Sequence, residues 1–342
     1  MSNNTNDSRR NFLKSAAAVA ATAGIGLKVS AEEQKRFDRT GEKMRIVDFR
    51  CRPPIAPQKM LFDIKLARLE WENKLHNPLA QSTSPSMYQV GKPEGIRLLK
   101  EEMRAAGVDH IIMPGRTTNA DVKATANLSK EGSINITDDM LIDLRRQFDN
   151  RATGLHGINL RDVANAPAAI EKAVKEHGLP GAVLEPGYVR KPNGEPLKLD
   201  DKSLYPIYET IVATDSVLMV QSGIYAGFDF GANDWPPLDL VLQKFPKMKV
   251  VLAHGGYPRV LDALALAMKH PNFYLSPDIY CSFPGGNLYT DAITQLQDQF
   301  IFGTAYPFGS LPASVEWSLK LPLADDVMVK YMGGNAARLL NL

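Results

Sequence analysis

Residues 249–269 read KVVLAHGGYPRVLDALALAMK. The run 249–254 is short and β-branched, a strand that ends on a polar side chain. Gly255 and Gly256 then turn the chain, and 257–269 carries apolar residues at helical spacing. A strand followed at once by a helix is the unit of a parallel sheet, because parallel neighbours need a crossover. The same alternation runs along the chain. Strands are predicted at 45–50, 110–115, 154–159, 182–185, 217–221, 249–254, 273–277 and 300–303. Helices are predicted at 94–106, 164–177, 202–214, 238–245, 257–269, 288–298 and 324–341, the last interrupted at Gly333-Gly334. This is the α/β pattern of a single-domain (β/α)8 TIM barrel. A doubly wound sheet would carry a glycine-rich phosphate turn after its first strand, and none is present. The longest connection, 55–93, is rich in Pro, Gln and Ser, with a short helix at 60–73. It is expected to cover the barrel mouth.

The N-terminus belongs to a different reading. Ser8-Arg9-Arg10-Asn11-Phe12-Leu13-Lys14 has the form of a twin-arginine export signal, followed by an apolar stretch and small residues at Val29-Ser30-Ala31. The expected organisation is a signal peptide over 1–31, a linker over 32–43 and a barrel over 44–342, in a periplasmic protein with no membrane segment once processed. Processing leaves 36 basic against 37 acidic residues, and the net charge moves from +2 to −1. No basic patch remains, so nucleic acid is not an expected partner. The oligomeric state is left open, a homo-oligomer included. Cys51 and Cys281 would enter an oxidising compartment either paired or as two buried thiols.

Function in such barrels sits at the C-terminal ends of the strands. Those ends carry Arg50 and Arg52, Arg116, Asn159, Glu185, Gln221, His254, Asp278 with Tyr280, and Ala305 with Tyr306. A purely structural barrel has no use for so many polar ends of mixed sign. In IVDFRCRPP, 46–54, Arg50 and Arg52 are two apart and share one strand face. Two guanidinium groups on one face make an anion clamp, with Arg116 as a third contact. The structural alternative is an internal network in which they neutralise Asp48, Glu185 or Asp278. No Gly-x-Ser-x-Gly elbow, P-loop or Cys-His pair is present, so nucleophilic catalysis is not indicated.

VVLAHGGYPRV at 250–260 resembles the strand-six signature of the amidohydrolase superfamily, and FIFGTAYPF at 300–308 resembles its strand-eight Gly-Ser-Asp-Tyr-Pro. IVDFRCRPP stands where that superfamily writes Asp-x-His-x-His, LMVQSG where strand five ends in a His, and Glu185 where a Lys or Glu bridges metals. The resemblance is to the amidohydrolase-related branch, which includes metal-dependent decarboxylases and lactonases. It implies a barrel enzyme with its site at the mouth. The departures are Arg50 and Arg52 at the two strand-one His positions, Gln221 at strand five and Ala305 at strand eight. Arginine cannot ligate a cation and alanine has no donor. The expectation is therefore that no metal or other cofactor takes part.

His254 is the first catalytic candidate, able to move a proton near neutral pH, or else a brace for the turn after it. Asp278 would orient His254 or activate water. Glu185 is either a general base or a partner of the arginines; its place among cations favours pairing. Arg50, Arg52, Arg116, Asn159, Gln221, Tyr280 and Tyr306 are the expected substrate-binding residues. The function these residues favour is metal-independent, lactone-type hydrolysis of a small carboxylated substrate. The alternatives are a hydratase, lyase or decarboxylase acting on such a substrate, and a non-catalytic carboxylate-binding or partner protein.

Overall fold

The computed structural model describes residues 44–117, 135–224 and 234–342. The export signal and the linker before the barrel lie outside the described residues. Seven strands pair in parallel, in chain order. They are β1 Val47–Asp48, β2 His110–Pro114, β3 Ala152–Gly157, β4 Gly181–Leu184, β5 Val217–Gln221, β6 Lys249–Ala253 and β7 Phe273–Ser276. The helices are α1 Lys59–Lys74, α2 Pro93–Ala106, α3 Asp138–Gln147, α4 Ala166–Lys175, α5 Tyr205–Ala213, α6 Leu238–Lys244, α7 Val260–Lys269, α8 Asn287–Ala292, α9 Leu311–Leu319, α10 Asp325–Val329 and α11 Asn335–Leu340.

Alternation along the strands builds the interior. Val47 with Phe49, Val217 with Met219, and Val251 with Ala253 are pairs two apart, and each pair enters one buried cluster. Ile112, Leu155, Val183 and Ile301 join from the other segments, so the sheet curls around a single core. From α11, Ala336, Leu339 and Leu340 pack into the same cluster. Each of the larger side chains contributes about 1.5–3 kcal/mol by leaving water, the alanines less.

The eighth strand is the main departure from expectation. The segment around Phe300 makes no ladder, only isolated parallel bridges: Leu275 with Phe300 and Cys51 with Tyr306. It still spans the gap, because Ile301 N donates to Leu275 O at 2.9 Å and Phe49 N donates to Phe302 O at 3.0 Å. The ladder fails because other partners take its amides. Phe302 N donates to Tyr331 O, at 3.0 Å, and Thr304 N donates to the Asp48 carboxylate, at 2.9 Å.

Two helices, α3 and α9, escaped the periodicity reading, although both carry good start signals. Thr137 caps α3, with Asp138 and Asp139 in its first turn and Arg145 and Arg146 in its last. Ser310 caps α9, with Pro in the first turn. The predicted break at Gly333-Gly334 is a π-helical turn, Lys330–Gly334, joining α10 to α11. Glycine is required there by proximity, since a Cβ on Gly333 would lie 2.2 Å from Arg45 O. Gly333→Ala is expected to lower stability by about 1–3 kcal/mol in urea titration, at unchanged m-value.

The 55–93 connection holds α1 as expected, and it packs on the end of the eighth segment. Tyr306 OH donates to Ser84 Oγ at 2.7 Å, and the Phe62 ring meets the Tyr306 ring edge-on at 6.0 Å. Cys51 and Cys281 are free and buried. Among the described residues no helix is long and apolar enough to cross a membrane.

Candidate functional site

Three consecutive strand ends share an unusual backbone. His254 after β6, Asp278 after β7 and Ala305 in the eighth segment have φ of 59°, 57° and 53°. A non-glycine residue in this region costs on the order of 1–3 kcal/mol and persists only when its surroundings hold it. The surroundings of the His254 turn are specific. Gly256 N donates to Ser222 Oγ at 3.0 Å, Trp235 Nε1 donates to Gly256 O at 3.0 Å, and Tyr289 OH donates to Gly255 O at 3.0 Å. Behind Asp278, Ser276 Oγ donates to Oδ1 at 2.6 Å.

Two of these three residues face each other, with His254 Nδ1 lying 3.1 Å from Asp278 Oδ2. Arg50 completes the group from β1. Its Nε is 3.6 Å from the same Asp278 oxygen, and its Nη1 donates to Gln221 Oε1 at the end of β5. Arg50 is 1% exposed, so this is a buried charge with a buried counter-charge. The Tyr280 ring stands edge-on to the imidazole at 5.1 Å and stacks on Tyr257 at 4.7 Å. With Nδ1 turned to Asp278, Nε2 is the ring nitrogen left for other chemistry.

The charges act on one another. Burial, then Arg50 and Arg52, push His254 down to about 4 against the pull of Asp278, so its imidazole is neutral at neutral pH. Burial alone would raise the Asp278 carboxyl, but His254, Arg50 and Ser276 hold it below its ordinary value. Burial and the neighbouring Arg50 lower Arg52 to about 9, which leaves it charged. Arg52 Nη1 is buried without a hydrogen-bond partner.

The remaining candidates divide. Arg116 Nε and Glu185 Oε2 form an ion pair at 2.8 Å, within electrostatic reach of Arg50 and Arg52. Asn159 is engaged in its own loop, where Oδ1 accepts from Arg161 N at 3.1 Å. Tyr306 is buried, its hydroxyl bonded to Ser84 and Ser86 of the 55–93 connection, so the expected substrate contact is replaced by a structural one. Asp48 also differs from expectation. It accepts from Arg50 through the backbone N–H, at 3.0 Å, and from Thr304 Oγ1, at 2.7 Å, and no guanidinium bond to it is seen. Sequence reasoning missed Ser222, Ser276 and Thr304 as supports. The one available signal was spacing for two of them, since Ser276 and Thr304 stand two residues before Asp278 and Tyr306; Ser222, adjacent to Gln221, carried none.

The amidohydrolase family's sequence model matches residues 100–342, most of the chain. The chain belongs to the amidohydrolase family. Residues 8–26 match the TAT (twin-arginine translocation) pathway signal sequence, which indicates export by that pathway and is consistent with a periplasmic location. Gamma-resorcylate decarboxylase of Polaromonas sp. (strain JS666 / ATCC BAA-500) is 23% identical over 287 residues, 72% of this chain and 86% of that protein. An uncharacterized TIM-barrel protein, Bb4693 of Bordetella bronchiseptica, is 29% identical with a TM-score of 0.73, over 87% of this chain and 98% of that one. Dihydroxybenzoic acid decarboxylase of Polaromonas sp. JS666, solved with bound manganese and 2-nitroresorcinol, is 17% identical with a TM-score of 0.61, over 87% and 97%. Lactone hydrolysis has no counterpart among these relatives.

The manganese in that amidohydrolase-fold relative corrects the expectation of a cofactor-free protein, which rested on lost ligand positions alone. Among the described residues the donors at the mouth are few. Among the described residues no three His, Cys, Asp or Glu side chains come together as a metal set. Asp278 faces a guanidinium and an imidazole, and Glu185 is held by Arg116. A divalent ion takes more ligands than this arrangement offers, so the donor set does not fit, and no step below passes through a metal.

Proposed function

We propose that this amidohydrolase is a periplasmic lyase that removes CO2 from a small carboxylated aromatic. The segment 1–31 is lost on export, 32–43 is a linker, and 44–342 is the working domain. The observation that carries the reading is the His254–Asp278 pair, 3.1 Å apart, beside cationic groups whose hydrogen-bonding capacity is partly unused. Decarboxylase relatives of this fold favour it over hydrolysis.

Decarboxylation needs an anion site for the carboxylate and a proton for the carbon it leaves. The carboxylate docks among the arginines, with Tyr280 as part of the ring-facing wall. Its negative charge offsets the cations that depress His254, so binding raises the proton affinity of the imidazole. Asp278 stabilises the resulting imidazolium at Nδ1 and aims Nε2 at the substrate. Nε2 gives its proton to the ring carbon bearing the carboxylate, the carbon–carboxyl bond breaks, and its electron pair stays with the ring. CO2 departs, and His254 recovers a proton from water.

The test is release of labelled CO2 from carboxyl-13C hydroxybenzoates, with and without added Mn²⁺. The reading predicts labelled CO2 and the parent phenol in equal amounts. A ring-opened acid or hydrated product with the label retained would contradict it.

A further inference from the structure

The two strand-one arginines share a face, but the structure does not leave them in the same state. Arg50 is committed inside the protein by its bond from Nη1 to Gln221 and its backbone N–H to Asp48 at 3.0 Å, and its Nε, though without a hydrogen-bond acceptor, lies within ion-pair distance of Asp278 Oδ2 at 3.6 Å. Arg52 makes its backbone bond to Tyr306 O, at 3.2 Å, yet its guanidinium has no ion pair among the described residues and its Nη1 is buried with no acceptor. The nearby carboxylates are already engaged. Asp278 is shared by Arg50 and His254, Glu185 is paired with Arg116, and Asp48 is filled by Arg50 N and Thr304. Among the described residues each of these carboxylates is held by other groups, so the guanidinium left without a counter-ion is that of Arg52.

We infer that Arg52 alone is the docking group for the substrate carboxylate, that Arg50 is a positioning charge for the His254–Asp278 pair, and that the site takes a monocarboxylate. This rests on the proposed function and deepens it. A guanidinium aimed at an empty acceptor position costs stability in the free protein and recovers it when an anion arrives. The unliganded protein should thus be more stable without Arg52, which a structural arginine would not allow. A dicarboxylate brings a second charge with no open cation to receive it among the described residues of the site, and a neutral amide leaves Arg52 unmatched.

The experiment measures benzoate, benzamide and isophthalate binding by calorimetry, with thermal unfolding of each protein alone. Wild type should bind benzoate at least tenfold tighter than isophthalate and show no heat with benzamide. Arg52→Met should raise the unfolding temperature of the free protein by a few degrees and weaken benzoate roughly 100-fold. Arg52→Lys should keep part of the affinity. Arg50→Lys should lower the unfolding temperature, change benzoate affinity less than Arg52→Lys does, and reduce kcat rather than raise KM in any turnover assay. Equal loss of benzoate in both lysine variants, a lowered unfolding temperature in Arg52→Met, or no benzoate binding by wild type would each overturn the assignment. Benzoate bound through Arg52 with no CO2 released from any hydroxybenzoate would instead defeat the proposed reaction and leave the docking assignment standing.

Discussion

His254→Gln is expected to reduce turnover of the carboxylated substrate by about 10²–10⁴-fold, the usual worth of a positioned proton donor. Glutamine keeps a polar side chain of similar reach but cannot deliver a proton. Binding of the carboxylate should change little, because His254 is neutral in the free protein and Arg52 carries the docking charge. The pH dependence has a definite sign. A donor that titrates at about 4 in the free protein is less protonated at every higher pH, so kcat/KM should fall as pH rises from 5 to 8. The complex, with the substrate anion present, should hold the proton to higher pH, so kcat should fall later than kcat/KM. A kcat/KM that climbs over this range would make His254 a base. Stability moves the other way. The folded value lies below the ordinary 6.5, so the unfolded chain takes up a proton that the folded chain refuses, and stability should be lost as pH falls from 6.5 toward 4.

Asp48→Ala is expected to cost about 3–5 kcal/mol in denaturant titration, the largest effect of any single replacement on the fold. Asp48 is the clasp between β1 and the eighth segment. Its carboxylate accepts from Arg50 N at 3.0 Å, Thr304 N at 2.9 Å and Thr304 Oγ1 at 2.7 Å. Removing it buries two backbone N–H groups without acceptors, each costing about 1–3 kcal/mol. Asp48→Asn keeps one acceptor oxygen and should cost less than half as much. Burial, opposed by the Thr304 and Arg50 bonds, raises the Asp48 carboxyl from 3.8 to about 6. The folded state thus holds that proton more tightly than the unfolded chain, and the group's contribution to stability declines as pH rises from about 4 to 6. Asp48→Asn should flatten that part of the stability profile. An unchanged profile, or Asp48→Ala as stable as wild type, would show that the eighth segment closes the ring by other means.

The strand-to-helix rhythm made the barrel legible because burial on both faces leaves short β-branched runs, and their length and flanking turn residues separate them from buried helix. The rhythm fails where side chains take over from the backbone ladder. The run around Phe300 reads as a strand by composition, but Asp48 and Tyr331 withdraw its hydrogen bonds. The helix Asp138–Gln147 is announced by its caps and hidden by its charge. At the site, position on a strand end found His254, Asp278, Arg50, Gln221 and Tyr280 together. It also proposed Tyr306 and Asn159, whose side chains are diverted by Ser84 and Ser86 and by Arg161 N, contacts that spacing does not encode. The unequal states of Arg50 and Arg52 were illegible for the same reason: pleat geometry gives both the same direction, and only the neighbours tell them apart. Lost ligand positions likewise supported a cofactor-free reading that the manganese of a same-fold relative removes.

The most direct measurement follows 2,6-dihydroxybenzoate in D₂O by NMR, with the wild-type protein and His254→Gln side by side. The wild type should give resorcinol carrying one deuterium at the carbon that lost the carboxyl group, together with CO2, and the variant should do so at a rate lower by at least about 10²-fold. Unchanged substrate with the wild type across hydroxybenzoates, or equal rates in the two proteins, would contradict the proposed reaction.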